Sequence, residues 1–299
     1  MKYLMILLCT WSYLSMAQTN NGKTLDEQWK QAEETINKNT TGKITQAKLN
    51  DCLNIIMDLS MSLKDSLAQA KTGWEDQTII WTGTSIPWAF GDNSYPKQVA
   101  RALKCKIYNN SISGSTIIFR APDSSQQGSY GMAGTYSQLR AAGFSQNYSY
   151  ENRILAFTVP PYNGNTIVID HGPNDMASLK SGKLGDIDSY DVRTFYGAYN
   201  QIIKKTLESN PHLRIIITTL INRYQVNGVS QEFFEKAVTA QREIAKKWGL
   251  PLLDYAQLAG VNEVTVQPGR LTSDGLHPTK EFSDRIAQIS INFFKTLTP

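Results

Sequence analysis

Residues 73–299 are predicted to form a three-layer α/β/α sandwich on a five-stranded parallel sheet. Short β-branched runs alternate with helix-length stretches, and small polar turns follow the first three runs. The runs are Thr78-Ile79-Ile80-Trp81, Lys106-Ile107-Tyr108, Thr166-Ile167-Val168-Ile169, Arg214-Ile215-Ile216-Ile217-Thr218 and Leu252-Leu253. Helical stretches fall between them near 95–104, 134–142, 190–208 and 230–248, and a last one follows at 280–295. In open parallel sheets, reactive groups collect outside the carboxyl ends of the strands. That is where Gly83-Thr84-Ser85, Asn110-Ser111-Ile112-Ser113-Gly114 and His171-Gly172-Pro173-Asn174-Asp175 stand in the sequence.

The chain has 299 residues, 41% of them apolar, which suits one large domain and an appendage. Its formal charge of +4 is spread along the chain with no basic cluster, so the pattern points away from nucleic acid. Residues 1–17 read as a signal peptide: Lys2, an apolar Leu4-Met5-Ile6-Leu7-Leu8 stretch, then small residues in Ser15-Met16-Ala17. The apolar stretch is shorter than the ~20 residues that span a bilayer. A secreted or periplasmic protein is expected, with no stable membrane insertion once the signal is removed.

Residues 18–72 read as an N-terminal helical segment. Leu49, Ile56, Leu63 and Ala70 recur every seven positions, with Cys52, Leu53, Leu59 and Leu67 on the same face. This is either a short coiled coil that makes a homo-oligomer through residues 45–71 or a helix docked on the main domain. Cys52 and Cys105 make neither a disulfide framework nor a metal-ligand spacing, so no metal is expected. The stretch 121–165 is rich in Ser, Gly and Gln and carries Tyr130, Tyr136, Phe144, Tyr148, Tyr150 and Tyr162. It reads either as part of a sugar-binding surface or as an insertion packed on its own domain.

The chemistry is carried by Ser85, at the end of the first run, and by Asp274-Gly275-Leu276-His277-Pro278 near the C-terminus. A serine hydroxyl is a weak nucleophile near neutral pH. It needs an imidazole to take its proton and a third group to orient that imidazole, and His277 and Asp274 are of the required types. Of the other two histidines, His212 follows Asn210-Pro211 and reads as a solvated turn residue. His171 adjoins Gly172 and either lines a pocket or packs beside that turn. Trp88, three residues after Ser85, is either a pocket wall or core.

Taken in order, these four turns resemble the SGNH hydrolases, also called GDSL esterases, and the resemblance covers about residues 78 to 297. It implies the flavodoxin-like SGNH fold and a catalytic trio in which Ser85 is nucleophile, His277 base and then acid, and Asp274 the orienting carboxylate. It also implies an oxyanion hole of the backbone N–H groups of Ser85 and Gly114 and the side-chain amide of Asn174, and no cofactor. Gly114 suits such a place because it lacks a side chain and tolerates backbone geometry that other residues resist. The family block is usually Gly-Asp-Ser, and here Thr84 replaces the aspartate. A threonine hydroxyl can still bond nearby backbone N–H groups, so altered support for the turn is expected with Ser85 still the nucleophile. Pro87 stands where a G-x-S-x-G elbow has its last glycine, which argues against an α/β-hydrolase.

The expected activity is removal of an O-acyl group, in the first place O-acetyl, from an acylated small molecule or glycan through an acyl-serine intermediate. Thr84, Trp88 and His171 are the candidate pocket residues beside the trio. A second reading makes the protein a glycan-binding or adhesion component, on a faint resemblance of Ile36–Asp58 to stalk segments of phage fibres, with the N-terminal helices assembling it.

Overall fold

The computed structural model describes residues 73–119, 131–134, 136–141, 148–221 and 231–298, and a few isolated positions between 30 and 61. The chain divides into two units, Met1–Lys71 and Thr72–Pro299, and the second holds the sheet. The signal peptide, the heptad face at 45–71 and Cys52 lie outside the described residues, as do Tyr130 and Phe144 of the aromatic-rich stretch.

Five parallel strands form the sheet: β1 (Thr78–Gly83), β2 (Lys106–Asn109), β3 (Thr166–Asp170), β4 (Arg214–Thr218) and β5 (Leu252–Leu253), in spatial order β2-β1-β3-β4-β5. Each coincides with an apolar run in the sequence. The helices are α1 (Ser85–Trp88), α2 (Tyr95–Leu103), α3 (Tyr136–Ala141), α4 (Tyr150–Arg153) and α5 (Met176–Lys180), then α6 (Phe195–Ser209), α7 (Gln231–Trp248), α8 (Tyr255–Leu258) and α9 (Lys280–Thr296).

Side chains alternate across the strands, and the alternation divides the core in two. Ile80, Ile167, Ile169, Ile215 and Ile217 point to the face covered by α6 and α7, where they meet Tyr199, Ile203, Phe234 and Ile244. Ile79, Trp81, Val168, Ile216 and Leu253 point to the other face and meet Val99 and Leu103 of α2 and Phe282, Ile286 and Phe294 of α9. Both faces are covered, so β1, β3 and β4 read as unbroken apolar runs rather than as alternating ones. Each such fully buried side chain contributes about 1.5–3 kcal/mol relative to exposure.

The helix ends follow local chemistry. Thr194 caps α6 by accepting from the Gly197 N–H at 3.2 Å, and Thr279 caps α9 by accepting from the Phe282 N–H at 3.3 Å. At the far end of α2, Lys104 turns into the left-handed region at φ 57° and its N–H closes back on the Ala100 and Arg101 carbonyls.

Strand order 2-1-3-4-5 reverses direction between β1 and β3, and that reversal opens a crevice at the carboxyl edge of the sheet. Gly83 of β1 lies in register with Asp170 of β3 there, so the turns carrying Ser85 and Asn174 leave the sheet side by side. Asp170 is itself a buried carboxylate that accepts from Trp81 Nε1 at 3.1 Å, from Thr218 Oγ1 at 3.0 Å and from the Tyr95 hydroxyl. Burial raises its pKa, and these three donors oppose the rise. Of the aromatic-rich stretch, Tyr150 is buried, while Tyr162 meets Tyr108 edge-on and Phe157 at a tilt and stays 37% exposed. His212 is an exposed turn residue whose N–H bonds the Asn210 side chain at 2.9 Å. Among the described residues no helix is long and apolar enough to cross a membrane.

Candidate active site

Ser85 is the first residue of α1, directly beyond β1. The turn there is tight: a Cβ on Gly83 would stand 2.2 Å from Pro87 Cγ and 2.9 Å from the Asp170 carbonyl, so only glycine fits. Thr84 is fully buried, and its hydroxyl caps the turn, taking the Ile86 N–H at 3.4 Å. The hydroxyl therefore gives the turn the local support expected of it. The far end of α1 is tied down by Asn109, whose side-chain amide donates to the Pro87 carbonyl at 2.8 Å.

His277 comes from the C-terminal turn, and its Nε2 lies 3.0 Å from Ser85 Oγ. Its Nδ1 lies 2.7 Å from Asp274 Oδ2. An ionised carboxylate only accepts, so Nδ1 carries the proton and Nε2 presents its lone pair to the serine hydroxyl. The second oxygen of Asp274 is also engaged, accepting from the Leu276 N–H at 2.9 Å and the His277 N–H at 2.7 Å. One carboxylate thus builds the turn and orients the ring. Ser85, His277 and Asp274 are brought together as the sequence predicts, across 192 residues of chain between serine and histidine.

The partial burial of Asp274 raises its pKa, but the N–H groups of His277 and Leu276 and the imidazole outweigh that and bring it down to about 2. Its folded-state value is depressed below the ordinary ~3.9. Its contribution to stability is therefore present above that pH and lost as the pH falls towards 2. The carboxylate orients His277 across the whole weakly acidic and neutral range. An NMR titration of the Asp274 carboxyl should find its midpoint near 2; a midpoint at or above 4 would show that the turn does not hold the ionised form.

Gly114 lies on the turn after β2 at φ 75°, a conformation that side chains resist. Among the described residues, neither the Ser85 N–H nor the Gly114 N–H meets an acceptor. Asn174, after β3, donates from its side-chain amide to the Ser115 carbonyl at 2.8 Å, which places it against the Gly114 turn. The Asp175 carboxylate strengthens the same junction, accepting from the N–H groups of Ile117 at 3.1 Å and Ile118 at 3.0 Å. The His171 carbonyl is held by Gln241 Nε2 at 2.8 Å and by the Tyr199 hydroxyl at 3.3 Å.

Of the three candidate pocket residues, only Trp88 presents a surface. It is 59% exposed, which excludes the core alternative, and Phe90 beside it is 41% exposed in the left-handed region at φ 67°. Thr84 and His171 are fully buried, which corrects their placement in a substrate pocket. The Thr84 side chain turns inward to cap α1, and the His171 ring is buried with neither nitrogen hydrogen-bonded among the described residues. Burial and the nearby Arg153 charge hold the His171 imidazole well below its ordinary pKa, so it is neutral. Arg153 and Asp175 are structural participants that no motif announced. Asp175 had one signal, its place directly after Asn174, whereas Arg153 had none.

A narrow crevice is lined by Ile86, Pro173, Leu220, Ile221, Phe234, Val266, Thr272 and Leu276, with a free volume of about 10 Å³. Ile86 follows Ser85, Pro173 precedes Asn174 and Leu276 precedes His277, so three of the four turns contribute a wall. That volume holds about one water molecule.

The assembly is of the kind that carries acyl transfer: a hydroxyl on an imidazole and the imidazole on a carboxylate. Known proteins agree in fold. A Lactobacillus plantarum protein is 20% identical with TM-score 0.53, covering 74% of this chain and 97% of its own. A possible lipase from Chitinophaga pinensis DSM 2588 is 17% identical with TM-score 0.50, covering 74% of this chain and 98% of its own. Comparison with curated proteins finds no match. Residues 65–285, from ahead of β1 into α9, match the family described as GDSL-like Lipase/Acylhydrolase. A match over that span takes in all four turns and the whole sheet, so this chain belongs to the GDSL-like Lipase/Acylhydrolase family and is an ester hydrolase.

Proposed function

We propose that the protein is a secreted serine esterase that removes O-acetyl groups from carbohydrate, with Ser85, His277 and Asp274 as its catalytic trio. The observation that carries the chemistry is the chain of contacts from Ser85 Oγ to His277 Nε2 at 3.0 Å and from His277 Nδ1 to Asp274 Oδ2 at 2.7 Å. Ser85 Oγ attacks the acyl carbon while its proton passes to His277 Nε2. The carbonyl oxygen becomes an oxyanion, met by the N–H groups of Ser85 and Gly114 and by the Asn174 amide. On collapse the ester C–O bond breaks and His277 returns the proton to the departing alcohol. Water, deprotonated by the same imidazole, then attacks the acyl-serine, and the acid leaves with Ser85 restored.

Two features support the finer reading. The crevice whose lining residues Ile86, Pro173 and Leu276 adjoin Ser85, Asn174 and His277 in sequence has a volume of only about 10 Å³, which favours a short acyl group. Trp88 and Phe90 expose aromatic faces three and five residues from the nucleophile, where a sugar ring of the alcohol portion can stack. Residues 1–17, with the pattern of an export signal, would place this activity outside the cytoplasm, where acetylated glycans are met.

The test is hydrolysis of p-nitrophenyl acetate and p-nitrophenyl octanoate beside acetate release from an acetylated glycan. Acetate is expected to be preferred over octanoate by at least an order of magnitude. Trp88→Ala is expected to raise KM for the glycan several-fold and leave p-nitrophenyl acetate turnover unchanged. Equal rates on both chain lengths would remove the acetyl assignment, and an unchanged glycan KM in Trp88→Ala would remove the sugar platform.

A further inference from the structure

Arg153, the last residue of α4, has its side chain fully inside the protein, and among the described residues no carboxylate pairs with it. A buried cation of this kind is retained only where its donors are met. Each nitrogen of the guanidinium meets a different acceptor: Nε donates to the Asn110 carbonyl at 2.9 Å, one terminal nitrogen to Ser115 Oγ at 2.6 Å, and the other to the Gly83 carbonyl at 2.6 Å. The Asn110 side chain returns a bond to the Arg153 carbonyl at 3.0 Å.

These acceptors are not scattered. Gly83 is the last residue of β1, two before Ser85, while Asn110 and Ser115 bracket the Gly114 turn. One planar group therefore spans the two turns that carry the Ser85 and Gly114 N–H groups. Among the described residues, the backbone links the two segments through the Asn110 N–H to the Trp81 carbonyl at 2.7 Å and the Ile112 N–H to the Gly83 carbonyl at 3.1 Å.

We propose that Arg153 is a positioning residue of this esterase: its guanidinium clamps the Ser85 turn to the Gly114 turn and so sets the spacing of the two backbone donors of the oxyanion hole. The inference rests on the roles given above to Ser85 and Gly114. Lysine cannot substitute, because its donors diverge from a single nitrogen and cannot reach three acceptors spread over two turns. The clamp does not touch substrate. It acts through the backbone, so its loss lowers the rate of the chemical step and leaves substrate affinity alone.

A cavity of about 260 Å³ is lined by Asn110, Ser111, Ile112, Asn152, Arg153 and Phe157. The Ser111 hydroxyl, buried, has no hydrogen-bond partner among the described residues. Truncating Arg153 to alanine enlarges this cavity and leaves the three acceptors facing it, which creates a place for a small guanidinium from solution.

The experiment measures kcat and KM on p-nitrophenyl acetate for Arg153→Lys and Arg153→Ala, with Ser85→Ala alongside and folding followed by circular dichroism. Expected are a fall in kcat of roughly 10- to 100-fold, the range that a misplacement of about 1 Å produces, and a KM within about twofold of the parent enzyme. Methylguanidinium at about 20 mM is expected to restore kcat of Arg153→Ala at least fivefold, while methylammonium restores nothing. If Arg153→Ala does not fold, the kcat and KM of folded Arg153→Lys decide. Parent-like kcat in either folded variant, a loss confined to KM, or a folded Arg153→Ala that methylguanidinium leaves inactive would overturn the clamp. An active Ser85→Ala would instead overturn the serine mechanism on which the clamp depends, so the two failures are told apart.

Discussion

Ser85→Ala should abolish ester turnover, lowering kcat by roughly 10⁶-fold, with the melting temperature unchanged or slightly raised. Ser85 is half-buried, and among the described residues its hydroxyl bonds only His277 Nε2 at 3.0 Å, so the core does not depend on it. Circular dichroism and a chromogenic acetate ester measure both halves of the prediction. Trio members act as a unit, so the double variant Ser85→Ala with His277→Ala should be no slower than Ser85→Ala alone. A double variant slower than the single one by the product of the separate losses would mean that the two side chains act independently. Asp274→Asn is expected to be milder than His277→Ala, because the orienting group is one step removed from the proton that moves.

Asn174→Ala should lower kcat by roughly 10²- to 10³-fold with KM nearly unchanged, as loss of one oxyanion donor does. The amide is anchored on the Ser115 carbonyl at 2.8 Å, so the substitution also removes one of the bonds joining the Asn174 turn to the Gly114 turn. The junction itself survives, because the Asp175 carboxylate still takes the Ile117 and Ile118 N–H groups at 3.0–3.1 Å. Rate should therefore fall far more than stability. Steady-state kinetics and thermal melts on the one variant separate the two. A kcat within threefold of the parent would take Asn174 out of the oxyanion hole and leave it a structural tie.

The sequence by itself determined the layers and the chemistry. Parallel strands covered on both faces must be apolar throughout, which is why Thr166–Asp170 and Arg214–Thr218 stand out as runs between helical stretches. Ser85, Gly114, Asn174, Asp274 and His277 were legible because each lies in a short turn whose composition is narrowly constrained: tight backbone at Gly83, left-handed backbone at Gly114, and a carboxylate three residues before an imidazole. Such constraints are local, so they leave a mark on local sequence.

The tertiary structure alone decided what depends on contacts between distant segments. Whether Trp88 faces solvent or core turns on the orientation of a four-residue helix, too short to show a periodic face. Thr84 and His171 adjoin reactive turns in sequence, yet their side chains point inward, because alternate positions leaving a strand face opposite sides of the sheet. Arg153 is the extreme case. Its acceptors are 38, 43 and 70 residues away, on two turns that only the folded sheet edge brings together. No spacing rule in the chain records where an unpatterned insertion will return its one buried guanidinium.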